Sequence, residues 1–164
     1  MGKGMETAGI CGLFCESCSF YIATQENNLE PLSKITGKPV DEIRCNGCRS
    51  DTVTFYCKTC SMKKCASDKD INFCSECGKY PCDTLKEFQA AKPHRLELFS
   101  SLDFVRENGY TAWREKMEKD YSCGKCGTIN SIYEFSCRKC KNSPSNPYVG
   151  RNMEKIAVAK IKLT

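Results

Sequence analysis

The chain has 164 residues, 15 cysteines, one histidine and a formal charge of +5. That length fits one ordinary domain or two small ones, and no apolar run approaches the roughly 18–20 residues of a membrane helix, so a membrane-spanning role is excluded. An odd cysteine count excludes a complete set of disulfides, and the opening residues lack the apolar stretch of a signal peptide, so the thiols point to metal or redox chemistry in a cytoplasmic protein.

Residues 1–92 hold eleven of the cysteines but only 16 Leu, Ile, Val and Phe, with acidic and basic side chains in balance. So little apolar matter cannot build an ordinary core, and bound metal is expected to replace it. A structural zinc supplies roughly 10–16 kcal/mol, which becomes folding free energy. The segment opens with CGLFCESCSFY, where Cys11, Cys15 and Cys18 have the C-x3-C-x2-C spacing of radical iron–sulfur enzymes. Those enzymes place it on a loop of a large α/β barrel, for which this chain has neither the length nor the βα units. On one straight helix Cys11 and Cys18 would stand about 10 Å apart, too far for one tetrahedral ion. Cys15 and Cys18 can share an ion on a first helical turn, with Cys11 reaching in from a loop.

A helix is predicted from about Ser17 to Asn27, and a second from Pro31 to Gly37. Cys45 and Cys48 follow in RCNGCRS. Then an aromatic-C-x2-C-x4-C unit occurs twice, giving Cys57, Cys60 and Cys65, then Cys74, Cys77 and Cys82. Each unit needs a fourth ligand. A sequential set (Cys57, Cys60, Cys74, Cys77) and an interleaved set both fit. Cys65 has Lys63 and Lys64 beside it, which fits either a reactive thiol or a plain ligand.

Residues 93–120 form a helical spacer. Asp83 is expected to cap a short helix that Pro93 interrupts. Leu98, Leu102 and Val105 then lie on one face, and Gly109 stops that helix. Thr111 caps a third, whose Tyr110, Trp113, Met117 and Tyr121 pack between the cysteine-rich parts. His94 reads as an exposed helix-start residue, with metal ligation as the alternative.

Residues 121–150 contain C-x2-C-x10-C-x2-C, formed by Cys123, Cys126, Cys137 and Cys140. Two such knuckles bring four sulfurs to one tetrahedral ion, and TINSIYEFS between them alternates as a β-hairpin should. The expectation is a zinc ribbon with all four positions filled by protein. Residues 151–164 form a basic tail, open to reading as an edge strand, a docked helix or a disordered end. Residues 123–164 carry eight basic and two acidic side chains. Zinc held by four thiolates is net −2, which offsets much of that charge.

CGLFCESCSFYIAT, RCNGCRSD, FYCKTCSMKKCA and FCSECGKYPCDTLKEF, in that order, resemble an uncharacterised cysteine-rich prokaryotic family, domain of unknown function number 3795, over about residues 9–90. The resemblance implies a metal-binding fold common in anaerobes, often followed by a second knuckle pair. It implies no activity.

The expected fold is therefore a small metal-stabilised α+β protein. It has an irregular cysteine-rich domain with short helices (1–92), a helical spacer (93–120), a β-hairpin zinc ribbon (121–150) and a tail. At least two zinc ions are expected, with an iron–sulfur cluster or thiol redox role as the alternative. Every strong motif is a closed ligand set, so an interaction module is favoured over an enzyme. A protein partner fits, and so does nucleic acid, with Lys125, Arg138, Lys139 and Lys141 on phosphates and Tyr133 and Phe135 on bases.

Overall fold

Cysteines mark where the short helices begin. In the computed structural model, which describes residues 4–161, Cys18 stands immediately before helix α1 (Ser19–Gln25), Cys60 before α5 (Ser61–Lys69) and Cys82 before α6 (Asp83–Ala90). Single 3-10 turns start at Cys15 and Cys74. Helix starts carry unpaired N–H groups and the positive end of the peptide dipoles, which suits a sulfur that will carry negative charge. Asp83 is thus the first residue of α6 rather than its cap, and Cys82 takes the capping position.

Between these lie α2 (Glu30–Thr36), which has Pro31 in its first turn and stops at Gly37, and two one-turn helices, α3 (Val40–Ile43) and α4 (Phe55–Lys58). Ala23, Leu29 and Ile43 make a small satellite core here. The first 92 residues therefore do not build the main core; they contribute to one assembled mostly elsewhere.

That main core forms around α7 (Leu98–Tyr121). Gly109, at φ 79° and ψ 172°, breaks this helix in a region that only glycine enters readily. The chain folds back there. Trp113 Nε1 donates to Ser101 Oγ at 2.8 Å, whereas twelve residues of continuous helix would span about 18 Å. Ser101 in turn donates to the Gly12 carbonyl at 2.6 Å. Gly12 has φ +85°, and a Cβ there would meet Leu102 Cγ at 2.7 Å, so the loop after Cys11 can touch α7 only without a side chain. Phe14, Phe73 and Tyr110 surround Trp113 with ring centroids about 6 Å away. The aromatic stripe does pack between the two cysteine-rich parts.

Of the three readings of the tail, the docked helix is the one that forms. Helix α8 spans Pro147–Ile161, and residues 162–164 lie outside the described residues. Asn146 Oδ1 accepts the Val149 N–H, a helix-start cap with proline in the first helical position. Tyr148, Val149 and Ile156 are fully buried, and Tyr148 stacks on Tyr121 at 5.2 Å. Arg151 bridges Glu97 and Asp120, which are brought together by the fold-back at Gly109. Half-exposed ion pairs of this kind contribute about 0–1 kcal/mol, and each buried apolar side chain roughly 1.5–3 kcal/mol, so packing is what docks α8.

The expected α+β class is overturned. Among the described residues all named elements are helical, and extended pairing is confined to two isolated bridges, Ala8 with Phe14 and Ser122 with Ile129. The C-terminal β-hairpin is therefore absent. Its alternation fails because Asn130, Ser131 and Ile132 are buried in succession, which a strand with one wet face cannot do. Buried Asn130 pins the backbone instead. Its amide donates to the Thr128 and Ser145 carbonyls, and its Oδ1 accepts the Arg138 N–H.

Candidate metal centre

The two C-terminal knuckles follow directly from α7. Tyr121 ends the helix, Cys123 N–H donates to the Thr128 carbonyl, and Gly127 N–H closes the turn onto the Cys123 carbonyl. The second knuckle repeats the device, with Lys141 N–H donating to the Cys137 carbonyl. Cys123 Sγ lies 3.6 Å from Cys140 Sγ, and Cys126 Sγ lies 3.6 Å from Cys137 Sγ. All four sulfurs are within 4.8 Å of one another. Bonds of about 2.3 Å to a tetrahedral ion require sulfurs roughly 4 Å apart, so this set can hold one metal ion.

The loops are already arranged for negative sulfur. Lys125 N–H points at Cys123 Sγ (3.4 Å), and Asn130 Nδ2 points at Cys137 Sγ (3.4 Å). Burial works against ionising Cys137, but the N–H groups of Cys140 and Lys139, with Asn130 and Cys126, outweigh it and bring the thiol down to about 6. Thr128 lowers Cys126, while Cys140, despite a bond from the Asn142 N–H, is pushed up to about 11 by burial and its three sulfur neighbours. Four neighbouring thiols cannot all ionise unless a cation joins them. The set is closed, since every coordination position is a protein sulfur.

The eleven N-terminal thiols converge less tightly. Among the described residues, the C-terminal four are the set whose sulfurs close to within 4.8 Å of one another. Cys15 and Cys48 shift each other's thiols: Cys15 draws Cys48 down to about 6 against its burial, while Cys48 and burial hold Cys15 well above the ordinary value. Cys11, buried beside α7, feels Cys48, Cys60 and Cys74; Cys18 feels Cys45 and Cys57. Cys74 feels Cys82, Cys65, Cys60 and Cys77. Residues 11–18 form no straight helix, because the Ala8–Phe14 bridge and the 3-10 turn Cys15–Ser17 fold them back.

His94 is partly buried rather than exposed, and both its ring nitrogens are engaged. Arg95 Nε donates to Nε2 at 3.2 Å, so Nδ1 carries the proton and donates to Tyr133 Oη at 2.7 Å. Burial, then the charges of Arg95 and Lys92, hold it down to about 3. It serves as a tie between the segment before α7 and the knuckle loop. Of the basic-aromatic face, Tyr133 and Phe135 pack against the core, and Arg138 pairs with Glu26 of the segment after α1 at 3.1 Å.

Three polar residues carry more of the site than their sequence positions announced. Asn130 and Thr128 lie between the knuckles, where hairpin alternation hid them. Lys69 lies one helical turn beyond Cys65 on α5, and its ammonium donates to Cys77 Sγ at 3.2 Å. Lys64, the neighbour that seemed to favour a reactive Cys65, is paired with Asp68 instead. An i, i+4 Cys–Lys reading on a predicted α5 was the available signal for Lys69.

Residues 7–87 match the model of a protein family of unknown function, DUF3795. The match takes in all eleven N-terminal cysteines and ends before α7. No curated protein and no solved structure matches the chain. No helix among the described residues is long and apolar enough to cross a membrane.

Proposed function

We propose that the protein is a zinc-stabilised interaction module, in which one zinc bound by Cys123, Cys126, Cys137 and Cys140 fixes the C-terminal loops against the rest of the fold. The closure of four sulfurs to within 4.8 Å carries this reading. It supports a single ion, since a cluster would need room for its own sulfides between the protein sulfurs. Nothing remains open for a substrate at such an ion, so its role is to hold shape. The shape then acts through contacts with another macromolecule, a protein before a nucleic acid. Tyr56 and Ile35 are large, exposed side chains on the family-matched half, whereas the aromatics meant for stacking bases are packed inward.

The test is elemental analysis of protein purified without oxygen, read beside its visible spectrum. Zinc and no colour support the reading. A red protein with iron and no acid-labile sulfide would put iron in this same site and overturn the zinc assignment.

A second reading concerns the N-terminal thiols alone, as holders of an iron–sulfur cluster or as exchangers of metal. The Cys48 thiol favours it, because its neighbour Cys15 draws it down to about 6 against its burial, and the thiolate is the form that takes up a soft metal. Iron with matching acid-labile sulfide and absorption near 400 nm would establish it; a colourless protein with full zinc would end it.

A further inference from the structure

Asn130 stands where three parts of the fold meet, and it has no exposed surface. Its side-chain amide donates to Cys137 Sγ at 3.4 Å, to the Thr128 carbonyl at 2.8 Å and to the Ser145 carbonyl at 3.1 Å. Its backbone N–H donates to the Tyr121 carbonyl at the end of α7. Its own carbonyl accepts from Asn146 Nδ2 at 3.1 Å.

Asn146, also buried, carries the connection onward. Its Oδ1 accepts the Val149 N–H at 2.9 Å, and its carbonyl accepts the Gly150 N–H at 3.1 Å, so the residue that reaches Asn130 also starts α8. A run of buried hydrogen bonds thus leads from one sulfur of the four-cysteine set, through two asparagines, to the first turn of a helix. Other contacts hold the body of that helix. Tyr148 Oη donates to the Pro93 carbonyl at 2.9 Å, and Ile156 is fully buried. The start of α8 is the part that the knuckles reach.

On the single-ion reading of the four-sulfur site, on which this rests, we propose that metal occupancy there is coupled to docking of the start of α8 through Asn130 and Asn146. Cys137 held as a metal-bound thiolate is a fixed, negatively charged acceptor, and a hydrogen bond to it is stronger than one to a neutral thiol. Asn130 is then locked in place, and with it the carbonyl that Asn146 holds. With the site empty, Cys137 is a weak acceptor on a loop no longer tied to the other knuckle. Asn130 slackens, the helix start loosens, and Tyr148 loses its stack on Tyr121. Coupling of this kind is reciprocal, so a docked α8 tightens metal binding by the factor by which metal tightens α8. The C-terminal helix is in this way a reporter of metal supply.

The test uses the full chain, purified without oxygen, loaded with Zn2+ and then stripped stepwise by a chelator. Hydrogen exchange is followed over residues 147–161, and alkylation with mass spectrometry at every cysteine. The amides of α8, Val149 and Gly150 first, are expected to exchange about tenfold faster in step with exposure of Cys123, Cys126, Cys137 and Cys140. Exchange that ignores those four, or that rises with the N-terminal thiols instead, would overturn the coupling and leave the metal centre standing. Free alkylation of the four in the loaded protein would overturn the metal centre itself, and the coupling with it. Asn146→Ser removes no ligand and keeps a helix-start oxygen, but its side chain is too short to reach Asn130. It is expected to lower the Zn2+ affinity of the C-terminal site about tenfold in chelator competition, with Trp113 emission unchanged as the sign of an intact core. An unchanged affinity in that folded variant would overturn the proposal.

Discussion

The hydroxyls of Ser19 and Ser131 lie 2.8 Å apart, across 112 positions of sequence. One opens α1 in the family-matched half, and the other sits on the loop between the two C-terminal knuckles. The ion pair of Arg138 with Glu26 runs beside it. The C-terminal four-sulfur centre is therefore part of the surface against which α1 rests. Cys137→Ser leaves three thiolates for the C-terminal ion and is expected to weaken its binding, and with it the fold, by about 3 kcal/mol, roughly a quarter of a four-ligand site. The loss should reach α1, whose amides would exchange faster in hydrogen exchange. Faster exchange confined to residues beyond 121 would show the two parts to be independent.

Ser101 joins three segments through one hydroxyl, accepting from Trp113 Nε1 and donating to the Gly12 carbonyl. Ser101→Ala leaves both partners buried and unpaired, at about 1–3 kcal/mol. The urea midpoint should fall by that amount divided by the slope m. Trp113 emission should shift only slightly, because its aromatic neighbours stay in place.

Gly109 tests the backbone alone. A Cβ added there meets nothing within 4 Å, so any cost of Gly109→Ala comes from its φ of +79°. A destabilisation of about 1–3 kcal/mol is expected from thermal or urea unfolding. A neutral substitution would mean that the fold-back is made by its packing and not by this residue.

His94 makes stability depend on pH. The unfolded imidazole takes up a proton near pH 6.5, and the folded one only at about 3. Between these values the unfolded state binds more protons, so stability present above pH 6.5 drains away as pH falls toward 3. From pH 7.5 to 5.5 the wild type should lose about 1.4 kcal/mol more than His94→Gln. Taking the difference between the two proteins cancels protonation of the thiols, which both share. Parallel urea midpoints across that range would show that the ring takes its proton without unfolding.

Much of the architecture was legible in residue spacing. Pro31 and Gly37 bounded α2, Gly109 broke α7, and Trp113, Met117 and Tyr121 faced the core, because each of these signals is local. The four C-terminal cysteines declared themselves as one set for the same reason, since two C-x2-C turns need only short-range geometry. The hairpin between them did not follow. Alternating side chains in TINSIYEFS fit a strand, yet the buried amide of Asn130 holds four partners that sequence cannot show, two of them in the second knuckle and one beyond it. Partner choice among Cys57, Cys60, Cys65, Cys74, Cys77 and Cys82 is likewise long-range. It depends on where α5 and α6 come to rest.

Helix α8 gives the order of synthesis a consequence. Tyr148, Val149 and Ile156 fill the core around Tyr121, and a ribosome makes them after everything they cover. A nascent chain carries its N-terminal thiols into the cell long before that core can close. Metal capture by those thiols is thus available as an early event, and burial of Trp113 as a late one. Where the metal proposed for those thiols is scarce, chains would wait at the stage between the two, with thiols bare and the aromatic core unsealed, as substrates for oxidation and proteolysis.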